Sequence, residues 1–466
     1  MLNQLKQRLG GDSGSEAAGY GKRAGLLSIG VGLAGLVTYL FFAISSHVLS
    51  TTQYGELVIC WSAVFITVSI LQRPVEQLLS RTISEHIAHG EAYSRPIAIA
   101  AGIQILVSAA FLGIALLLRG PIQDGLLHGN STLYWIGIAA IAAYGASYFA
   151  RGFLAGSHRL TLYASLIISE SMIRTLFPVL VAVGVASGQT AVALGIVAAP
   201  ALSLICVPLA FISRGDRGGP EQASQTKKPA GEKGLSFSAA KGGWFAAAVL
   251  VIMLSEQTFL NAGPLLVSGT AGAAAAGYIF NILMIARAPL LLFQAVTTSL
   301  LPHLTRLRAE RKEKDFHSSV RGTVLAVLAF GLVVAGVMAL IGPFLMQLAF
   351  SDKFTYERVG LVLVSLGMGL YLCAATLNQG ALAQGQVRRA ATRWIVCAVI
   401  FVAWTLSPLV GAVDLRVEIG FMGSAALLCG LLYLIYRDPK PEAGHEITPD
   451  SPEEVEVQLA AADEGS

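Results

Sequence analysis

Charge is what this sequence lacks most. Asp, Glu, Lys and Arg make up 13% of its 466 residues, about half the roughly 25% of a soluble domain. Hydrophobic residues fill 55%, and mean hydropathy is +0.66. That much apolar surface cannot be hidden in a water-soluble core, which excludes a cytosolic enzyme and a disordered protein. Cysteine is nearly as sparse. Cys60, Cys206, Cys373, Cys397 and Cys429 each sit in an apolar stretch, at irregular spacing and without a CxxC pair, so neither a disulfide scaffold nor a thiolate metal site is indicated. There is no secretory signal: the first 23 residues are polar, and the apolar run after them is too long for an h-region. A Walker loop, a Ser/His/Asp set and a long external loop able to house an active site are missing too. No enzyme, cofactor or metal centre is expected.

What the chain does have is long apolar runs. A spanning helix needs about 20 mostly apolar residues. Such runs lie at 24–49, 56–80, 97–118, 132–154, 160–186, 190–213, 243–268, 273–302, 322–346, 358–384, 393–411 and 417–436. Lipid leaves free backbone groups without partners, so the runs are helices or a closed barrel. Continuous runs, not ten-residue alternations, decide for helices. The expected fold is an all-α polytopic membrane protein of about 12 transmembrane helices in two six-helix bundles.

Basic residues set the orientation. With alternating spans and an inside N-terminus, 24 of the 32 Lys and Arg fall inside and four (Arg119, Lys353, Arg358, Arg416) outside. Both termini are therefore expected in the cytoplasm. The domains read as a cytoplasmic segment 1–23, a first bundle 24–213, a cytoplasmic linker 214–242, a second bundle 243–436 and a disordered cytoplasmic tail 437–466. The linker is rich in Gly, Ser, Lys and Pro. The tail holds nine acids and one base from Asp438 on, so the body carries the positive excess. The bases lie in short clusters between apolar runs, which excludes a nucleic-acid patch.

The linker splits the spans six and six, and the halves echo each other. Gly152, in Arg151-Gly-Phe-Leu-Ala-Gly156, matches Gly380, in Gln379-Gly-Ala-Leu-Ala-Gln384. Tyr54-Gly55 before span 2 matches Gly277-Tyr278 before span 8, and each of those spans has a basic residue near proline, Arg73-Pro74 and Arg287-Ala-Pro289. Each half starts in the same orientation, so the repeat is expected to be parallel, about a pseudo-twofold along the membrane normal.

Other motifs read as packing or surface. Gly30-Val-Gly-Leu-Ala-Gly35 lies in an apolar helix with no strand before it, which suits close helix packing better than a nucleotide. Glu85-His86-Ile-Ala-His89 is a solvated helix face, and Asn130-Ser-Thr132 is a chance sequon. The informative residues are ionisable groups within spans, which are costly in lipid and face a partner or a cavity. Arg73 and Glu76 share one face of span 2, and Glu170 and Arg174 one face of span 5. Glu256 in span 7 lies near Gln257 and Asn261. Arg287 in span 8 lies near Asn281 and Gln294, and Asn378 and Gln379 add polarity to span 10. Either each Glu neutralises an Arg and pins helices together, or these groups line a polar cavity between the halves.

Two six-helix halves, the Tyr-Gly turn after span 1, the basic-plus-Pro second span and the Gly-x-Leu-Ala ends of spans 4 and 10 resemble the multidrug/oligosaccharidyl-lipid/polysaccharide exporter superfamily over residues 24–436. The O-antigen-type polysaccharide flippase branch fits best; the lipid II flippase branch usually has fourteen spans. The resemblance implies a V-shaped pair of bundles in a bacterial cytoplasmic membrane, moving a polyprenyl-diphosphate-linked oligosaccharide from inner to outer leaflet by alternating access. On that reading Arg73, Arg174 and Arg287 meet the diphosphate through charge-assisted bonds. Asn261, Asn281, Gln294, Asn378 and Gln379 bind sugar hydroxyls. Glu76, Glu170 and Glu256 are charge partners or carry H+ or Na+ coupling. A cation-coupled multidrug exporter of the same fold is the alternative, and would favour carboxylates and aromatic walls. A membrane glycosyltransferase or polymerase, or a non-transporting scaffold, fits less well.

The tail's charge and its Pro439, Pro441, Pro449 and Pro452 exclude a packed segment. Removing residues 441–466 is expected to leave membrane insertion and transport in reconstituted vesicles unchanged. Lost transport with normal insertion would refute the solvated-tail reading.

Overall fold

The computed structural model describes residues 12–205, 208 and 239–438. Cys206, most of the linker, and the tail beyond 438 lie outside the described residues. Within them the chain is helical: α1 (Asp12–Val48), α2 (Thr51–Leu71), α3 (Arg73–Ala88), α4 (Ser94–Leu117), a one-turn π-helix (Pro121–Leu126), α5 (Ser131–Gly156), α6 (Leu160–Ala182), α7 (Gly188–Ser203), α8 (Ala239–Ala309), α9 (Glu313–Phe350), α10 (Arg358–Ala383), α11 (Val387–Leu406) and α12 (Val413–Arg437). The backbone of α1 is already helical at Asp12, well ahead of the expected start at 24, because Glu16-Ala17-Ala18 are good helix formers that continue the ladder.

Ten helices among the described residues are long and apolar enough to cross a membrane, where the sequence predicts twelve. The difference has two sources. The run expected at 190–213 is present as a shorter apolar helix, Gly188–Ser203, and the runs at 243–268 and 273–302 join in one stretch, Ala247–Arg287. That stretch is a hairpin. Gly272 has φ 82° and ψ 178°, a conformation open to glycine and strained for other residues. Beyond it the chain doubles back: Arg287 Nη1 donates to Asn261 Oδ1 at 3.2 Å, and a Cβ on Gly263 would lie 3.0 Å from Leu283 Cδ1. A straight helix would hold each pair about 30 Å apart or more. The hairpin falls between the two predicted spans.

Local chemistry sets other boundaries. Ser50 and Gln53 form a reciprocal capping box at the start of α2, with bonds of 3.2 and 3.3 Å. The second span then breaks at Gln72, because Pro74 in the first turn of α3 has no N–H to give. The turn between α8 and α9 is tied by Glu310, which accepts from Arg306 and Lys312 at 2.7 Å each. Those bonds, first Lys312 and then Arg306, hold its carboxyl down to about 2.

The two halves meet most closely at the end that carries residues 49–55, 126, 268–277 and 351–356. There α2 lies against α8 almost backbone to backbone. A Cβ on Gly55 would fall 1.8 Å from the Ala273 carbonyl oxygen, and one on Gly277 would lie 3.3 Å from Gly55 Cα. The two glycines matched in the sequence thus touch each other, although both lie within helices and not in the expected turns. Tyr54 donates to Asn281, whose Nδ2 donates to Tyr356 at 2.9 Å. Lys353 Nζ donates to the carbonyls of His47 and Leu49 at 2.9 and 2.8 Å. Phe42 packs on Phe280 with ring centroids 4.5 Å apart. Gly152 and Gly380, also matched in the sequence, have unlike neighbours: Gly152 faces the Glu76 backbone, and Gly380 the Tyr436 ring and Val320.

The remaining motifs take local roles. Gly30 lies close to Ala164 of α6, where a Cβ would meet its methyl at 3.0 Å. Asn130 caps α5 through Leu133 N and donates to Glu56. His86 and His89 bond the carbonyls one turn back, Thr82 and Glu85, at 2.8 and 2.7 Å.

Gly55→Ala is expected to lower stability by about 1–3 kcal/mol, the cost of overpacking a fitted contact. Gly32, with nothing within 4 Å of an added Cβ, serves as control. Thermal unfolding in detergent reads both variants; an unchanged midpoint for Gly55→Ala would contradict the close approach.

Candidate functional site

A cavity of 450 Å³ opens within the first bundle and is closed on one side by α8 of the second. Its wall is built from α1 (Thr38, Tyr39), α2 and α3 (Trp61, Arg73, Glu76), α5 (Tyr144, Tyr148, Arg151), α6 (Tyr163, Glu170, Arg174) and α8 (Asn261, Arg287). Four arginines and two glutamates therefore share one chamber, an excess of positive charge in a low-dielectric wall.

Glu170 holds two of the arginines. Its Oε1 accepts from Arg174 Nη2 at 2.7 Å, its Oε2 accepts a short bond from Arg151, and Ser147 donates to the same Oε2 at 3.3 Å. All three charged side chains are at least 90% buried. Arg174 also donates to the Tyr144 hydroxyl at 2.8 Å and to Thr38 at 3.3 Å. Its guanidinium stands 4.6 Å from the Trp61 ring centroid, and that of Arg151 stands 4.6 Å from Tyr148, distances at which ring quadrupoles attract cations. Glu76 accepts from Tyr163 at 2.9 Å.

The arginines keep donors in reserve. Nε of Arg151, Nε of Arg174, and Nε and Nη2 of Arg287 are buried without a hydrogen-bond partner. Buried N–H groups of a cation left without acceptors are costly. An anion entering the chamber would meet them.

Of the residues expected to bind cargo, Arg73, Arg174, Arg287 and Asn261 line this cavity, as do the charge partners Glu76 and Glu170. Asn281 does not: it is spent at the contact between the halves, on Tyr54 and Tyr356. Asn378 faces the second bundle and accepts from Trp394 Nε1 at 3.1 Å. Gln379 and Glu256 are not on the cavity wall. Among the described residues no ion pair joins Glu256 to Arg287; the arginine's partner is Asn261. The side chain of Gln294 lies outside the described residues. Depth along a span places such residues near the middle but does not say which face of the helix they occupy.

Sequence reasoning missed Arg151, the tyrosines and Trp61. A signal for Arg151 was present. Folding the chain about the turn at 157–159 brings α5 against α6 and carries Arg151 towards Glu170. The aromatic residues carried no such signal, because a tyrosine at helical spacing in an apolar run reads as packing.

No family model matches the chain, and no curated protein matches it. Solved structures do. A mutant form of the Vibrio cholerae MATE transporter VcmN aligns over 90% of this chain and 97% of its own, at 17% identity and a TM-score of 0.60. A eukaryotic MATE transporter aligns over 91% and 97%, at 14% identity and 0.57. A MOP superfamily transporter from Pyrococcus furiosus, described by a reverse polarity of its binding pocket that suggests a different function, aligns over 89% and 96%, at 16% identity and 0.51. The chain therefore has the fold of the MATE transporters of the MOP superfamily, preserved over nearly its whole length at low identity.

Proposed function

We propose that this chain is a membrane transporter working by alternating access, and that its cargo is an anionic lipid-linked oligosaccharide carried from the inner to the outer leaflet. The observation that carries the reading is the set of four buried guanidinium nitrogens without acceptors on Arg151, Arg174 and Arg287, in a chamber with twice as many arginines as glutamates. A diphosphate supplies the missing acceptors through planar, charge-assisted bonds. Asn261 and the tyrosine hydroxyls offer partners to sugar hydroxyls, and the lipid tail stays in the membrane. The excess of Lys and Arg on the other face supports taking the end closed by Gly55, Tyr54 and Lys353 as the outer one. The chamber, with Arg151 and Tyr163 near the opposite ends of α5 and α6, then takes cargo from the cytoplasmic side.

The aromatic wall of Tyr39, Phe42, Trp61, Phe65, Tyr144, Tyr148 and Tyr163 favours the second reading, a multidrug exporter. Aromatic faces suit flat organic molecules as well as sugar rings. The charge separates the two, since a cationic drug gains little from four arginines. Pocket polarity varies within this fold, as the description of the Pyrococcus furiosus protein states.

Purified protein in liposomes carrying a diphosphate-linked lipid sugar tests the reading. Arg287→Ala is expected to lower cargo affinity at least about tenfold, since each lost bond to a charged group is worth about 1.5–3 kcal/mol. Arg287→Lys should recover part of it. Glu170→Gln leaves two buried arginines uncompensated, and its expected effect is on folding, a destabilisation of about 3–5 kcal/mol. Full activity of both Arg287→Ala and Arg174→Ala, or transport of cationic dyes in place of the lipid-linked sugar, would overturn the proposal.

A further inference from the structure

The two halves treat one equivalent place differently. At the outer vertex of spans 2, 4 and 6, Glu56 of α2 is a carboxylate with two side-chain donors on one oxygen. Its Oε2 accepts from Asn130 Nδ2 at 2.9 Å and from Gln189 Nε2 at 3.0 Å, so amides from the starts of α5 and α7 solvate its charge without a base. Spans 8, 10 and 12 form the matching vertex of the second half. Tyr278 stands there one residue after Gly277, as Glu56 stands one residue after Gly55. The acid now comes from α12: Glu418, 3% exposed, faces Gly360 in the first turn of α10.

Glu418 has no such donors. Its Oε1 is buried without a hydrogen-bond partner, and no base pairs with it among the described residues. Gly360 is the reason it fits, since a Cβ there would lie 2.0 Å from Oε1 and 2.4 Å from Oε2. The charged and titratable groups that face it are Asp414 on its own helix, Glu357 at the cap of α10 and Tyr278 on α8. Arg416, two residues before it, is turned away and spends its guanidinium on the carbonyls of Val410 and Thr405. Like charges around a buried carboxylate with no donor demand a cation. A proton on Glu418 removes that repulsion and turns the bare oxygen into a donor.

We propose that Glu418 is a proton-binding site at the outer vertex of the second half, loaded from the outside face and emptied when spans 8, 10 and 12 rearrange. The site rests on the transporter reading above for its use, but not for its existence. A protonated Glu418 can donate to Glu357, Asp414 or the Tyr278 hydroxyl and so ties α8, α10 and α12 together. Deprotonated, it repels both acids and loosens the same three helices. No bond other than O–H forms or breaks, and the proton passes between the carboxylate and water at that face.

Infrared difference spectra of the purified full chain, without cargo, between about pH 5 and pH 8 test the site itself. The wild type is expected to show a protonated-carboxyl band that Glu418→Gln removes and Glu56→Gln leaves in place. Gly360→Ala should displace the carboxylate and shift the same band. A spectrum unchanged by Glu418→Gln, or a band driven by Na+ at constant pH, would overturn the proposal. In liposomes, a pH gradient of one unit coupled to one proton is worth about tenfold in cargo distribution. That factor is expected in the wild type and lost in Glu418→Gln, with cargo affinity unchanged. Absence of any cargo movement in the wild type would sink the transporter reading while the infrared result still decides the site.

Discussion

The two halves rest on each other where a side chain has been removed. Gly55 lets α2 lie against the Ala273 carbonyl, and no other residue type leaves that distance open. The other contacts at this end follow from this approach. Tyr54 is brought within reach of Asn281, Phe42 reaches Phe280, and Lys353 comes over the end of α1. Because the helices converge there, they leave room for a chamber deeper in the first bundle, and α8 becomes one wall of it. Small residues let membrane helices approach closely where no hydrophobic force separates good contacts from lipid.

Within the chamber, the governing fact is that one carboxylate serves two arginines. Glu170 neutralises one charge, and the second is softened by Trp61, Tyr148 and Tyr144. Aromatic faces and hydroxyls stabilise a guanidinium without cancelling its charge, so the chamber remains attractive to anions while its walls stay folded. A second acid in place of Tyr144 would halve the chamber's excess of positive charge and weaken the attraction. Arg287 stands apart from this network, held by the Asn261 amide, which orients the fork and leaves it charged.

Much of the fold was legible because lipid simplifies the reading. Long apolar runs have one stable backbone solution, so the helices and the break between 268 and 273 could be placed from hydropathy, and Gly272 marks that break. Gly55 and Gly277 were visible as glycines each beside a tyrosine, although nothing in the sequence said that they touch. The site was legible only by depth. Arg73, Arg174, Glu170 and Arg287 stand out in the sequence because charge within a span is rare, and they line one cavity. Asn281 and Asn378 lie off the chamber wall because a helix offers several faces at one depth, and polar amides serve Tyr54 or Trp394 as readily as a ligand. Arg151 was passed over because it lies near the end of its span, where an arginine is ordinary. Glu418 was hidden in the same way, close to the start of α12.

Lys353 carries a further consequence. The last carbonyls of a helix have no partners within it, and here those of His47 and Leu49, at the end of α1, are satisfied by an ammonium from the opposite half. Parting the halves at this end leaves three polar groups bare, and only solvent can take them over. Separation of the bundles is therefore a wetting event: water must arrive as the lysine leaves. Leu49, Tyr54 and Phe354 are buried at this end, so the water that replaces the lysine has to enter past apolar side chains.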